Sequence, residues 1–169
     1  ESYQIVSKIK PNIAKELGLN KNVIIVAGGA DNAIAAIGTN TITNNACNIS
    51  LGTSGTLLIA TDKYHPGNTL PIHSFNHSNG KYYLMGCILS AASAYAWWSK
   101  VSNSSVKDKI NLNTNNNIYF LPYLTGERCP YNDPNATGAF FNLRSNTTNE
   151  DMSLAVLEGV TFALKDYIN

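Results

Sequence analysis

A mixed α/β fold is predicted by three features of the residue pattern. Residues 23–27 are a short apolar run followed by glycines, as expected of a strand that enters a turn. Two more strand-like segments flank the tight glycine turn at residues 52–55, which indicates an antiparallel hairpin. Residues 149–169 instead repeat apolar side chains at helical spacing, with Glu150 and Asp151 in the first turn. Strands and helices therefore both contribute to the fold.

The composition argues against several classes of protein. The chain has 169 residues, of which 44% are hydrophobic and 14% charged, enough for one core or for a core and part of another. A net charge of +1 without a block of Lys or Arg provides no field for polyanions, so we expect no nucleic-acid partner. No apolar run approaches the ~20 residues of a membrane span, so we expect no membrane partner.

The cysteines indicate a reducing environment. Cys47, Cys87 and Cys129 are odd in number, widely spaced and never form a C-x-x-C pair. We interpret them as reduced structural residues of a cytoplasmic protein.

The first third of the chain alternates helices and a strand. Residues 10–19 are expected to form a short helix, with Pro11 in its first turn and Gly18 closing it. Residues 23–27 then form a buried strand, and residues 31–38 form a small alanine-rich helix that can pack closely.

The pattern changes at residues 39–48, which are polar and rich in Asn. This segment is the best candidate for a hinge between two lobes. We therefore expect residues 1–43 to contain the end of one lobe and the hinge, and residues 44–169 to form part of the other. Because the chain begins without Met inside an apparent strand and ends within a helix, we expect it to be an internal part of a longer protein.

Three strands and a helix are expected after the hinge. Residues 47–51 and 56–61 form the strands of the hairpin, residues 81–89 a third strand, and residues 90–101 an aromatic-rich helix.

The remaining segment is expected to be mostly irregular. Residues 102–117 are polar and are expected to form a surface excursion, and residues 118–123 a short strand. Residues 122–143 contain three prolines and two glycines, which indicates a stiff, ordered loop. Within it, Glu127 and Arg128 are expected to form a structural ion pair.

Asp31 is the first candidate for chemistry, in the run Gly28-Gly29-Ala30-Asp31-Asn32. The glycines allow a sharp turn off a strand, which places a carboxylate at a helix start on rigid elements. Such a group can accept a proton from a hydroxyl nucleophile. The alternative is that Asp31 caps its helix, a common role of Asp, and both roles can hold together. Asn32 is a candidate for positioning the same substrate.

The turn made of Gly52, Thr53, Ser54 and Gly55 is the second candidate. Glycines expose successive backbone N–H groups, and the two hydroxyls add donors, a set that can hold phosphate oxygens. It lacks the Gly-Lys-Ser/Thr ending of a Walker A loop, and many plain hairpins carry the same residues. On its own this signal is weak.

Two further features have simpler explanations. The small residues at 89–93 let a backbone approach either a ligand or another element of the fold, and both interpretations stay open. His73 and His77 have helical metal-site spacing, but the surrounding Pro, Asn and Gly predict a loop, so we expect no metal site.

These motifs, together with the segment Gly126-Glu127-Arg128-Cys129-Pro130, resemble the FGGY carbohydrate kinases over nearly the whole chain. The resemblance implies a ribonuclease H-like lobe of the actin-like ATPase and sugar kinase superfamily, with a mixed sheet and flanking helices. It also implies ATP-dependent, Mg²⁺-dependent phosphorylation of a sugar hydroxyl, with the ketopentose D-xylulose as the expected acceptor.

The resemblance assigns roles to the candidate residues. Asp31 is the catalytic base and, with Asn32, contacts the sugar. Gly52, Thr53, Ser54 and Gly55 bind the ATP phosphates. Residues 1–43 then belong to the sugar-binding lobe and residues 44–169 to the ATP-binding lobe, while Mg²⁺ ligands are expected outside this chain. A homodimer is one possible assembly.

Three residues depart from the pattern of these kinases: Ala30 and Asn142 replace glycines, and Thr137 replaces an arginine. Two alternatives stay open. One is a kinase of the same family acting on gluconate, ribulose or glycerol. The other is a non-catalytic, actin-like nucleotide-binding sensor, although retention of Asp31 in its motif argues against it.

Overall fold

A computed structural model describes residues 1–66, 72–103 and 116–167. In these ranges the elements follow in the order β1 (Ile5–Lys8), α1 (Pro11–Glu16), β2 (Ile24–Val26), α2 (Asp31–Gly38), β3 (Cys47–Leu51), β4 (Gly55–Thr61), β5 (His73–Asn76), β6 (Tyr82–Ile88), α3 (Ala92–Val101), β7 (Tyr119–Leu121), β8 (Ala139–Phe141) and α4 (Asn149–Lys165). The strands form sheets of order β1-β2, β3-β4-β6-β5 and β7-β8. The mixed α/β class is confirmed. Among the described helices, none has both the length and the apolar character that a membrane crossing requires.

The chain divides into two compact units. Unit 1 contains residues 1–48, 59–64 and 74–83, and unit 2 contains the rest. The lobe division expected from the sequence, between residues 43 and 44, stays a prediction.

In unit 1, helix α1 ends as its sequence predicts. Pro11 occupies the first turn, where its missing N–H costs nothing. Gly18 adopts a left-handed φ of 64°. Its N–H bonds to the Lys15 carbonyl at 3.3 Å, and the Leu19 N–H bonds to the Ala14 carbonyl at 2.8 Å. This pair of bonds is a Schellman motif, which satisfies the last carbonyls of the helix.

Strand β2 is not buried, contrary to the expectation for residues 23–27. Ile24, Ile25 and Val26 are 51%, 41% and 44% exposed. The strand pairs only with β1 in a two-stranded antiparallel sheet, and both strands are exposed along their length in the described part of the chain. Within the described part of the chain, no element covers the faces of this sheet.

The polar connector at residues 39–48 is held in place within unit 1. The Thr41 side chain is buried, and its backbone carbonyl lies 3.0 Å from Nε2 of His77. The Asn79 side-chain amide donates to the Ile42 carbonyl at 3.0 Å. These bonds fix the middle of the connector, so any hinge motion must use residues on either side of it.

Strand β5 replaces the loop that was expected around His73 and His77. The Phe75 ring packs on Tyr83 of β6, with ring centroids 5.4 Å apart. Ser78, Asn79 and Gly80, which helped to predict a loop, lie just beyond the strand, where Gly80 has a φ of 84°. Pro71, the other turn-forming residue, lies outside the described residues. The loop prediction was wrong for residues 73–76, because pairing with β6, the next strand along the chain, outweighed the local turn signal.

In unit 2, helix α4 packs against β7 and α3. A Cβ atom at Gly159 would overlap the Phe120 carbonyl, so the glycine permits close contact between helix and strand. Trp98 of α3 is buried and donates its indole N–H to the Ser153 hydroxyl at 2.9 Å. These contacts join the elements that form the core of this unit.

The start of α4 is capped more fully than its acidic first turn predicts. Thr148 is the N-cap residue, its hydroxyl accepts the Asp151 N–H at 3.2 Å, and Asp151 accepts the Thr148 N–H at 3.0 Å. This reciprocal pair is a capping box. The bonds from Thr148 lower the pKa of the Asp151 carboxyl.

Most of the surface excursion expected at residues 102–117 lies outside the described residues. The strand expected at residues 118–123 is confirmed as β7, but β8 was not foreseen. The described non-glycine residues with positive φ are Asn40, Asn45, Asn103, Asn132 and Asn142.

Candidate functional site

The turn from β2 into α2 positions Asp31. Gly28 has a left-handed φ of 72°, a conformation that favours glycine. A Cβ atom at Gly29 would lie 2.6 Å from the Ser78 Oγ, so only glycine fits there without a shift. Ala30 is the N-cap residue and has an ordinary φ of −62°. Alanine is therefore tolerated here, where the kinases that the sequence resembles often have a third glycine. Gly28 is therefore favoured by its backbone angle, and Gly29 by its close approach to the Ser78 side chain.

Asp31 is the first residue of α2 rather than its N-cap. Its Oδ1 accepts the N–H of Asn32 at 2.7 Å, and Oδ2 has no hydrogen-bond partner within the described ranges. No side chain caps the helix, so the interpretation of Asp31 as the cap does not hold. The negative charge of Asp31 in the first turn still interacts favourably with the helix dipole. One carboxylate oxygen thus stays available on an exposed, rigid element.

Tyr83 is an electrostatic neighbour of Asp31 that the sequence did not reveal. It is 2% exposed, and burial, then the charge of Asp31, raises the pKa of its hydroxyl. Tyr83 and Ser78 line a cleft of about 590 Å³ within unit 1, and the turn at residues 28–30 borders the same cleft. The Ser78 Oγ is buried without a partner among the described residues. The turn before Asp31 therefore adjoins a cavity with polar walls.

His77 has a structural role in the same unit. It is 4% exposed, its Nε2 faces the Thr41 carbonyl, and its Nδ1 lies 3.2 Å from the Asn79 N–H. Both ring nitrogens are therefore occupied. Within the described ranges no group of three His, Cys, Asp or Glu residues could hold a metal ion.

The 52–55 turn is anchored through its carbonyl groups in unit 2. The Gly52 carbonyl accepts the Ala92 N–H at 2.9 Å, and the Thr53 carbonyl accepts the Ala91 N–H at 2.9 Å. The Ser93 hydroxyl also donates to the Thr53 carbonyl at 2.6 Å. The small residues at 89–93 thus pack the start of α3 on this turn, which supports the packing interpretation. It leaves the ligand interpretation untested.

This anchoring decides where the N–H donors of the turn point. In a planar trans peptide the C=O and the next N–H point in opposite directions. Because the Gly52 and Thr53 carbonyls point at α3, the N–H groups of Thr53 and Ser54 point away from it. Neither N–H has a hydrogen-bond partner among the residues the structure describes, and both residues are exposed. They form a pair of free donors on one side of the turn.

The two glycines of the turn shape and pack the turn. The Gly52 N–H is bonded to the Ser54 carbonyl at 2.9 Å, so it is not a free donor. A Cβ atom at Gly55 would lie 3.0 Å from side-chain atoms of Ala91 and Ile88, so Gly55 permits close packing.

The expected ion pair between Glu127 and Arg128 is not formed. Glu127 is 2% exposed, and its Oε1 accepts the backbone N–H of Arg128 at 2.6 Å. A surface ion pair elsewhere in the described ranges joins Lys81 and Asp62 at 2.7 Å. The prediction was wrong because Glu127 turns inward, and a sequence gives little signal for a buried carboxylate.

The predicted site residues lie in different units: Asp31 and Asn32 in unit 1, and Gly52, Thr53, Ser54 and Gly55 in unit 2. Unit 1 thus presents the exposed Asp31 carboxylate, and unit 2 presents the N–H groups of Thr53 and Ser54, which have no partner among the described residues.

Comparison with known proteins identifies the family. Residues 47–169 match the model of the C-terminal domain of the FGGY family of carbohydrate kinases. The chain belongs to this family. It is 36% identical to the xylulose kinase of Staphylococcus epidermidis over 99% of this chain and 36% of that protein. It is 37% identical to the xylulose kinase of Escherichia coli over 98% of this chain and 36% of that protein. The chain thus spans about a third of the length of these relatives.

Solved structures of the FGGY family have the same fold. A xyloylose kinase from Brucella ovis is 36% identical, with a TM-score of 0.90 over 99% of this chain and 36% of that one. A gluconate kinase from Lactobacillus acidophilus is 26% identical, with a TM-score of 0.87 over 98% of this chain and 35% of that one. The ribonuclease H-like fold expected from the sequence is confirmed.

The FGGY pattern also explains Asn142, which stands where the family signature has glycine. Its φ is 64°, a left-handed conformation that Asn adopts more readily than other non-glycine residues. Its side-chain amide donates to the Asn117 carbonyl at 2.8 Å. Asn at this position therefore adopts a backbone conformation that is equally accessible to glycine.

Proposed function

We propose that the enzyme containing this chain phosphorylates D-xylulose with ATP. The observation that carries the proposal is the turn at residues 28–31, which holds the Asp31 carboxylate at a helix start with one oxygen free. The relatives named as xylulose kinases favour this acceptor over other sugars. The product is D-xylulose 5-phosphate.

Asp31 acts as the general base in this proposal. A sugar hydroxyl is a poor nucleophile, and a carboxylate within hydrogen-bond reach both orients it and accepts its proton. Asn32, the next residue of α2, helps to position the sugar. Because phosphoryl transfer has a loose transition state, orientation accounts for much of what Asp31 contributes.

The 52–55 turn is assigned to the phosphates of ATP, which supplies the phosphoryl group. The free N–H groups of Thr53 and Ser54 and their hydroxyls are the donors, while Gly52 and Gly55 shape the turn. Donors fixed before the ligand arrives stabilise charge on phosphate oxygens without reorganisation.

Mg²⁺ is assigned to no residue of this chain. In the proposal the Mg²⁺ ligands come from other parts of the enzyme, as the resemblance to the FGGY kinases implies. In the same proposal residues 1–43 belong to the sugar-binding lobe, residues 44–169 to the ATP-binding lobe, and the enzyme is cytoplasmic. A homodimer is compatible with it.

A kinase acting on gluconate is the second candidate, because the gluconate kinase from Lactobacillus acidophilus has a closely similar fold. A non-catalytic nucleotide-binding sensor is the third, and the exposed Asp31 carboxylate argues against it.

A substrate panel tests these alternatives. The full-length enzyme would be assayed for ADP release with D-xylulose, D-ribulose, D-gluconate and glycerol, with and without Mg²⁺. We expect kcat/KM for D-xylulose to exceed that for the others by at least about tenfold. A preference for gluconate would show that gluconate, and not D-xylulose, is the acceptor. ATP binding without turnover of any sugar would favour a non-catalytic sensor.

A further inference from the structure

The turn between β5 and β6, at residues 77–80 of unit 1, is closed by its own hydrogen bonds. The His77 N–H donates to the Lys81 carbonyl at 2.9 Å, and the His77 carbonyl accepts the Gly80 N–H at 3.1 Å. The side-chain oxygen of Asn79 accepts the Lys81 N–H at 3.0 Å. The backbone of this turn is therefore well fixed before its contacts with other elements are considered.

The end of α2 is joined to the connector that follows it. The Thr41 N–H donates to the Ala36 carbonyl at 2.7 Å. The Asn40 N–H donates to the Ile37 carbonyl at 3.0 Å, and Asn40 has a left-handed φ of 57°. This pair of bonds is a Schellman motif, which ties Thr41 to the last turn of the helix. A group that holds Thr41 therefore also holds the end of α2.

Two side chains of the β5–β6 turn bond to the residues just after α2. The Asn79 N–H donates to the His77 Nδ1 at 3.2 Å, so the ring hydrogen of the neutral imidazole is on Nε2. Nε2 then donates to the Thr41 carbonyl at 3.0 Å, and the Asn79 side-chain amide donates to the Ile42 carbonyl at 3.0 Å. The buried His77 ring also packs at a right angle to the Tyr83 ring, with centroids 5.9 Å apart. The turn thus grips the end of α2 through two directed bonds.

The start of α2 meets the same turn through Ser78. Ser78 is buried, and its Oγ lies 2.6 Å from the position that a Cβ atom would occupy at Gly29. The Ser2 Oγ lies 3.1 Å from the same position, and the Ser2 carbonyl accepts the Gly28 N–H at 2.9 Å. Gly29 is therefore closely packed on both hydroxyl groups, two residues before Asp31.

We propose that the β5–β6 turn clamps both ends of α2 and so fixes the direction of the Asp31 carboxylate, with His77 and Asn79 as positioning residues. A tilt or rotation of α2 would break a bond at one end or lose the Ser78 contact at the other. The proposal rests on the proposed role of Asp31 as the general base. A base acts only within hydrogen-bond reach of the hydroxyl, so the hold on its helix affects the rate of the chemical step.

His77→Phe in the full-length enzyme removes both bonds of the ring and keeps an aromatic side chain beside Tyr83. We expect kcat to fall about tenfold, with the KM for ATP changed by less than about twofold, because the base is displaced and the donors assigned to ATP are not. His77→Gln retains an amide that can donate to the Thr41 carbonyl, so it should recover most of kcat. His73→Phe, on an exposed residue of β5, is the matched control and should behave as the wild type.

A double variant separates positioning from a role in stability alone. If His77 acts through Asp31, His77→Phe should have little further effect on kcat in the Asp31→Asn enzyme, because the group that it positions is already removed. Equal fold-losses in the two backgrounds would overturn the proposal. A lower Tm with an unchanged kcat of the folded enzyme would also overturn it, since His77 would then act on stability only.

Asn79→Asp is the second variant if His77→Phe does not fold. It removes the donor to the Ile42 carbonyl and keeps the oxygen that accepts the Lys81 N–H. We expect kcat to fall about threefold, with Asn76→Asp on an exposed residue of β5 as the control. A kcat equal to that of the wild type overturns the clamp.

Hydrogen exchange tests the clamp without any assay of activity. If the wild type phosphorylates no sugar, the proposed function fails, and exchange of the backbone amides of residues 27–42 is compared between the wild type and whichever variant folds. Faster exchange in the variant supports the hold on α2. Equal exchange overturns it.

Discussion

The Ser78 hydroxyl oxygen lies 2.6 Å from the position that a Cβ atom would occupy at Gly29. The turn that carries Asp31 is therefore packed tightly against the residues that follow β5. The precise direction of the carboxylate depends on the absence of a side chain two residues before it.

Gly29→Ala should displace this turn, because Ser78, Ile34 and Ser2 all lie within about 3 Å of the added carbon. We expect kcat of the full-length enzyme to fall by a factor on the order of ten, since small misplacements of a catalytic group are costly. Gly38→Ala is the matched control, because a Cβ atom there meets nothing within 4 Å. Equal kcat values for the two variants would contradict the packing explanation. Partial recovery on adding Ser78→Ala would support it.

Asp31→Asn removes the proposed base while keeping the size of the side chain. We expect kcat to fall by a factor on the order of 10² or more, with the KM for ATP little changed. Asp62→Asn is the control, since Asp62 is a half-exposed carboxylate in a surface ion pair. Turnover of Asp31→Asn within a few-fold of the wild type would remove Asp31 from the mechanism.

Gly55→Ala and Gly52→Ala test whether the 52–55 turn depends on the close packing at Gly55. A Cβ atom at Gly55 would press on Ala91 and Ile88, whereas one at Gly52 would meet nothing closer than 3.7 Å. We expect Gly55→Ala to raise the KM for ATP several-fold and Gly52→Ala to leave it near the wild-type value, with sugar affinity unchanged in both. A larger effect on sugar than on ATP would assign the turn to the other substrate.

Thr148→Ala should weaken the start of α4 in a way that depends on pH. The hydrogen bonds from Thr148 hold the pKa of Asp151 below its ordinary value, so they stabilise the fold above about pH 4 and are lost as pH falls through the lowered pKa. Thermal unfolding at neutral pH should show a lower Tm for the variant. This difference should shrink in acid, and a constant difference down to pH 2 would contradict the linkage with Asp151.

The elements that local chemistry determines were predictable. Helix α2 begins at Asp31 and β3 covers residues 47–51, as the sequence predicts, because the boundaries of these elements depend on turn-forming residues close by in the sequence. The exposure of Ile25 was not predictable, because it depends on what packs against the sheet. The burial of the Glu127 side chain was not predictable either, because local residue types give little signal for a buried carboxylate.

The same limit applies to the site. Asp31 and the 52–55 turn were found from their own residues, but which donors of the turn are free follows from its bonds to Ala91 and Ala92. Tyr83 was missed because a Tyr in a strand is usually a packing residue, and its proximity to Asp31 arises only in the folded unit.

The left-handed asparagines have a consequence for how such chains are recognised. A sequence search that scores residue identity counts Asn142 as the loss of a signature glycine, although the φ of 64° at this position is one that glycine adopts readily. A family pattern defined by backbone angles would accept both Gly and Asn at this position and would exclude β-branched residues. Asn occupies each described left-handed position of this chain that is not glycine, so a comparison of backbone angles would not penalise the chain for those residues.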